Sequence, residues 1–177
     1  MKIIAFGASS SRKSINKSLA IYAASLVENA QVEVLDLNDF EIPIFSEDKE
    51  KELGQPQLAK RFLEKLASAN AIVVSFAEHN GSYAAAYKNL FDWMSRIERE
   101  VFQNKPVIFL ATSPGPGGAS NVLKLAVTSA PFFGAEIKGS LSVPSFYDNF
   151  DLETGKLTNP EINQVLAQTM NVLVEES

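Results

Sequence analysis

Ile3-Ile4-Ala5-Phe6-Gly7 runs straight into Ala8-Ser9-Ser10-Ser11-Arg12-Lys13-Ser14-Ile15-Asn16. A short apolar run ends in glycine, a cluster of hydroxyls with two cations follows, and a helical pattern begins. Such a stretch reads as a buried strand, a phosphate-sized loop and the positive end of a helix. A phosphate dianion needs several donors and a positive potential. The loop offers the hydroxyls of Ser9, Ser11 and Ser14, the Asn16 amide, the Arg12 guanidinium and free backbone N–H groups. The helix end adds about half a unit charge, and Arg12 adds a charge-assisted contact. Ser14 and Asn16 equally suit helix capping, and a cap beside a bound anion serves both purposes.

Working outward, the chain alternates strand and helix. Lys2 to Gly7 is strand one, and Ile15, Leu19, Tyr22, Ala23, Leu26 and Val27 recur at helical spacing. Gln31 to Leu37 alternates as strand two. Residues 38–55 read as irregular and acidic, with Ile42-Pro43-Ile44-Phe45 as an apolar plug, and Pro56 opens a helix. Ala71 to Phe76 is strand three. The polar loop 77–82 leads to a helix carrying Tyr83, Tyr87, Leu90, Phe91, Trp93, Met94 and Ile97. Pro106 to Ala111 is strand four, the glycine-rich loop 112–118 follows, and a helix runs from about Ala119 to Phe132. Ala135 to Val143 is strand five, residues 145–158 form a loop, and a helix from Pro160 to about Val174 closes the chain.

Five such alternations predict an α/β fold: a parallel sheet with helices on both faces, a three-layer sandwich in strand order 2-1-3-4-5. A single domain over residues 1–177 is expected, since this length suits one core. In an open parallel sheet, ligands sit beyond the carboxyl ends of the strands. The loops leaving strands one, three and four are residues 8–16, 77–83 and 112–119, the three stretches richest in Ser, Asn and Gly. Their convergence on adjacent strands predicts one site.

Composition narrows the chemistry. The net charge of −5 argues against nucleic acid or anionic lipid as a partner. The absence of cysteine removes disulfides, thiolate catalysis and any cysteinyl cofactor link. No apolar run reaches membrane-spanning length, and Met1-Lys2 leads directly into a strand, so a cytoplasmic location is expected. Gly7 to Ser14 resembles a P-loop with its second glycine replaced, but strands three and four end in Phe76-Ala77 and Ala111-Thr112 without the acid that holds magnesium. The nearest match to a dinucleotide fingerprint, Gly115-Pro116-Gly117-Gly118, follows the wrong strand with the wrong spacing.

Three motifs carry a family resemblance: Ser9-x-Ser11-Arg12-Lys13-Ser14-x-Asn16; Glu78-His79-Asn80-Gly81-Ser82-Tyr83 with Lys88-Asn89-x-x-Asp92-Trp93; and Ser113-x-Gly115 with Gly118. Together they resemble the NAD(P)H-dependent FMN reductases, which include quinone, azo-dye and chromate reductases. The resemblance covers nearly the whole chain. It implies a flavodoxin-like fold, non-covalent FMN, NAD(P)H as co-substrate, a small-molecule acceptor and a homodimer or homotetramer. By position, Ser9, Ser11, Arg12, Ser14 and Asn16 would hold the phosphate. Ala77, Glu78, His79 and Asn80 would line the isoalloxazine, with the Glu78 carboxylate left in solvent. Ser113, Gly115 and Gly118 would line its other side, and Ile15, Gly81 and Pro114 complete the implied set. Ala77 stands where the family usually has proline and His79 where it usually has tyrosine, departures that bear on flavin stacking and substrate preference. An FMN electron carrier of the flavodoxin type and a P-loop-like nucleotide-binding protein are the alternatives.

Two further features stand out. Tyr83, Tyr87 and Phe91 lie on a different arc of their helix from Leu90, Trp93, Met94 and Ile97, predicting a second apolar surface and a contact with another copy. Phe146 and Tyr147 are candidates to cover the cofactor or a partner.

Overall fold

The computed structural model describes residues 1–175. In chain order the elements are β1 (Lys2–Ala8), α1 (Ile15–Ser25), β2 (Gln31–Leu35), a 3-10 turn (Leu37–Phe40), α2 (Glu47–Leu53), α3 (Gln57–Ala67) and β3 (Ala71–Phe76). A small hairpin, β4 (Glu78–His79) and β5 (Ser82–Tyr83), precedes α4 (Ala85–Ile97) and β6 (Lys105–Thr112). Then come α5 (Ser120–Ser129), a second 3-10 turn (Ala130–Phe133), β7 (Ala135–Val143), α6 (Phe146–Asn149), the hairpin β8 (Phe150–Asp151) and β9 (Lys156–Leu157), and α7 (Pro160–Glu175).

The five main strands pair in parallel in the order β2-β1-β3-β6-β7, the expected 2-1-3-4-5 arrangement. Alternation along β1 divides the core. Ile4 and Phe6 face α3, α4 and α5, while Ile3 and Ala5 face α1 and α7. Strands β1, β3 and β6 are almost wholly buried because helices cover both faces. Their register is level at the carboxyl end: Gly7 lies opposite Ser75, Ser75 opposite Leu110, and Phe76 opposite Ala111. The three following loops therefore leave one edge of the sheet at the same height.

Gly7 sets how closely α1 approaches that edge. A Cβ there would lie 2.5 Å from the Lys17 backbone nitrogen and 2.8 Å from its Cα. Only glycine lets the first turn of α1 press onto the strand end.

Several expectations need correction. Residues 38–55 hold a 3-10 turn and α2 rather than irregular chain. Ser46 caps α2 by accepting from the Lys49 N–H, and Glu47 and Asp48 sit in its first turn. No residue of α2 is buried, so no apolar periodicity announced it. The segment 145–158 contains α6 and the β8–β9 hairpin. Tyr83 lies in β5, two residues ahead of α4. On the second apolar arc of α4, Phe91 packs edge-on to Phe133 and Tyr87 to Phe76, while Tyr83 and Phe91 stay partly exposed.

The plug at residues 42–45 is held by α4. The Trp93 indole N–H donates to the Pro43 carbonyl at 2.7 Å, and its ring meets Phe45 edge-on. The Asn89 amide donates to the Ile42 and Pro43 carbonyls while its oxygen accepts from the Phe45 N–H. Lys88 and Asp92, four residues apart, form an ion pair on the exposed side. The Lys88-Asn89-x-x-Asp92-Trp93 motif thus clamps a loop that lacks its own ladder.

Candidate functional site

Three loops meet in one open cleft of about 270 Å³. The β1–α1 loop contributes Ser9, Ser11, Lys13, Ser14, Ile15 and Asn16, the β3–β4 junction Ala77, Glu78 and His79, and the β6–α5 loop Thr112, Ser113 and Pro114. Tyr147, at the start of α6, closes the far side and is 60% exposed.

The β1–α1 loop is shaped by its own short bonds. The Ser11 N–H donates to the Ser9 hydroxyl and the Lys17 N–H to the Ser14 hydroxyl, each at 3.1 Å. The N–H groups of Arg12, Lys13, Ile15 and Asn16 find no acceptor in the described residues. Free N–H groups at a helix start, with the helix dipole behind them, make an anion cradle. Lys13 lines this cleft and Arg12 does not, so of the loop's two cations the one at the cleft is Lys13, which the implied phosphate set left out.

Asn16 lines the cleft and bonds within the chain through its side chain. Its side chain is 3% exposed and spans two strands. The amide nitrogen donates to the Thr112 carbonyl at 3.1 Å, and the oxygen accepts from the Ser75 hydroxyl at 2.7 Å and the Thr112 N–H at 3.1 Å. Asn16 fastens the cradle to the ends of β3 and β6, and offers an anion its backbone N–H.

Glu78 also departs from expectation. Its carboxylate accepts from the Val122 N–H at 3.0 Å and the Asn121 amide at 3.2 Å, capping α5. It is a positioning group rather than a solvated one. Asn80 and Gly81 carry positive φ of 52° and 76° and form the two-residue turn joining β4 to β5, away from the cleft lining. Gly115 and Gly118 are likewise architectural. The Gly115 carbonyl accepts from the N–H of Ser145 and Gly118 and from the Ser113 hydroxyl, while the Gly118 carbonyl accepts from the Ser142 hydroxyl. These bonds draw the start of α6, with Tyr147, toward the β6–α5 loop. Of the two candidate covers, Phe146 is wholly buried in the core and stacks on Phe150, leaving Tyr147 at the cleft.

Lys17 and Asp36 form an ion pair beside the cradle, at the end of β2. Burial raises the Asp36 carboxyl, but the Lys17 ammonium and the Asn38 donors outweigh it and hold the group below its usual value. Lys17 is thereby neutralised locally, which leaves Lys13 and Arg12 as the loop's charges for an anion.

The donor set suits a terminal phosphate: backbone N–H groups, hydroxyls and a lysine at a helix start, on the switch between β1 and β3. Of the titratable groups that line the cleft, Glu78 is bonded to α5 and His79 is exposed. The fold is flavodoxin-like, and the loop with free N–H groups lies at the switch point between β1 and β3.

The family described as NADPH-dependent FMN reductase matches residues 1–147, and the chain belongs to it. It is 27% identical over 176 residues to an NAD(P)H-dependent FMN reductase of Pseudomonas aeruginosa, covering 98% of this chain and 93% of the relative. It is 32% identical over 100 residues to a quinone reductase of Escherichia coli, covering 56% of this chain and half of that protein. Its fold superposes on the flavoenzyme NAD(P)H:acceptor oxidoreductase FerB of Paracoccus denitrificans with a TM-score of 0.81. That match is 20% identical and covers 98% and 95% of the two chains.

Proposed function

We propose that the protein is an FMN-dependent oxidoreductase that takes a hydride from NAD(P)H and reduces a small acceptor: a quinone, a free flavin, an azo compound or a metal oxyanion. The observation that carries this reading is the cradle of unpaired N–H groups at residues 12–16, joined in one cleft to the loops after β3 and β6. In this reading Ser9, Ser11, Ser14, Lys13 and the backbone of Arg12, Ile15 and Asn16 hold the phosphate. Ala77, Glu78 and His79 face one edge of the ring and Ser113 and Pro114 the other, with Tyr147 as its cover. Bound FMN supplies the group that accepts a hydride and passes two electrons on. The chain's share is to bind, to orient and to keep one ring face open. Backbone N–H groups of these loops would favour negative charge on a reduced ring. Because Glu78 ties that loop to α5, the ring edge is fixed by a rigid element rather than by a free turn.

A cytoplasmic homodimer or homotetramer is part of the same proposal. Among the described residues no helix is long and apolar enough to cross a membrane. The decisive experiment is the visible spectrum of the purified chain with and without added FMN, followed by NADH or NADPH oxidation with a quinone present. A yellow protein with rapid turnover is expected. A yellow protein that oxidises neither nucleotide would instead be an electron carrier. Failure to take up FMN would end the proposal.

A further inference from the structure

A second cavity lies on the other side of the β4–β5 hairpin, between α4 and α5. Its volume is about 310 Å³, and its wall is built mainly from the rings of Phe76, Tyr83, Tyr87, Phe91, Phe109 and Phe133. These rings contact one another in series, with centroid separations of 5.4 Å for Phe76–Tyr87 and 4.9 Å for Phe91–Phe133. Core aromatics ordinarily close upon each other; here they enclose space of the size that single ligands fill.

Beside the rings, the lining carries the hydroxyls of Ser82, Ser95 and Ser129 and the Lys88–Asp92 pair. Tyr87 is 4% exposed, yet its hydroxyl has no hydrogen-bond partner among the described residues. It is not sealed in protein either, so it opens into the cavity that its ring lines. Burial and the neighbouring Tyr83 push its ionisation well above the usual value, so the hydroxyl remains a donor. Tyr83 differs, because its hydroxyl is shared with Ser129 at 3.2 Å. At the mouth, Lys88 and Asp92 neutralise each other at 2.7 Å.

We propose that this cavity binds a neutral aromatic carbonyl compound of one or two rings, with its carbonyl oxygen accepting from the Tyr87 hydroxyl. The rings supply faces and edges for stacking. The self-neutralised mouth gives no reward to a charged ligand, and the Tyr87 hydroxyl, which has no partner among the described residues, favours an acceptor atom. Phe76 and Tyr83 belong to this cavity while Ala77, Glu78 and His79 belong to the loop cleft, so the two sites share one short segment of chain but no lining residue.

The test uses coumarin, a neutral two-ring lactone that is redox-inert here, titrated into the full chain with and without saturating FMN and followed by ligand-observed NMR. Naphthalene, which has the rings without the carbonyl, is the control. Coumarin is expected to bind both forms. Tyr87→Phe should weaken it by roughly 2- to 12-fold, the worth of one hydrogen bond, with naphthalene binding unchanged. Leu125→Trp, at the partly exposed mouth, should abolish binding of both. Neither variant should alter FMN uptake, which also reports that each is folded. No coumarin binding up to its solubility limit, equal affinity in Tyr87→Phe, or displacement of coumarin by FMN would each overturn the proposal.

Discussion

Replacing Asn16 by alanine separates two roles for one side chain. In the structure the amide serves three partners that lie in the sequence far from it: the Thr112 carbonyl, the Thr112 N–H and the Ser75 hydroxyl. Ser75 and Thr112 are themselves 0% and 1% exposed, so water does not readily replace the lost bonds. A buried polar group left unsatisfied costs about 1–3 kcal/mol. At the lower figure for each of the three groups, Asn16→Ala destabilises the FMN-free protein by about 3 kcal/mol, because the groups are neighbours and their losses do not simply add. For a domain of this size that lowers the thermal midpoint by roughly 6–12 °C. The assay is thermal and urea denaturation of the FMN-free chain, paired with FMN titration. If the amide instead reached the phosphate, FMN-free stability would be unchanged and only FMN affinity would fall, by about 1 kcal/mol. An unaltered midpoint in the FMN-free variant would refute the clamp.

Lys13→Ala should weaken FMN by about 1.5–3 kcal/mol, the worth of a charged hydrogen bond. Arg12→Ala should cost less, since Arg12 does not line the cleft; equilibrium titration of both variants orders the two cations, and a larger loss at Arg12 would reverse the assignment. Gly7→Ala forces a Cβ against the Lys17 backbone and should destabilise by about 1–3 kcal/mol, with FMN affinity falling alongside as the first turn of α1 is pushed off β1. Wild-type stability in urea would refute that. Bonds from Lys2 and Lys65 hold the Glu33 carboxyl below its ordinary value of 4.5. A depressed carboxyl contributes stability above its unfolded value and loses it as pH falls through the folded one. Urea midpoints should therefore drop below about pH 4.5, and Glu33→Gln should be less stable near neutrality yet show a shallower acid decline; parallel profiles for the two proteins would show that Glu33 is not the group responsible.

The elements whose side chains report burial by periodicity were legible in the chain. β3 and β7 begin and end where the apolar pattern does, at Ala71–Phe76 and Ala135–Val143. The three polar loops were legible as well, because strands buried on both faces leave little polar chain elsewhere. α2 was not, since it buries nothing and is made by a cap and charges alone. The β4–β5 hairpin was missed although Asn80-Gly81 is a strong turn signal, because two-residue strands are too short to show alternation. The β8–β9 hairpin escaped for the same reason.

At the cleft the division is sharper. From the sequence alone came the fold class, the strand order and the set of loops that converge, because each rests on local periodicity and on general rules of chain connection. Which side chain does what was settled only by tertiary structure. Asn16 finds its partners 59 and 96 residues away, and Glu78 caps a helix 44 residues downstream. Neither bond has a local signature. A hydrogen bond depends on distances of a few tenths of an ångström, and those are set by how α1 seats on Gly7 and how the strand ends align, after the whole sheet has closed.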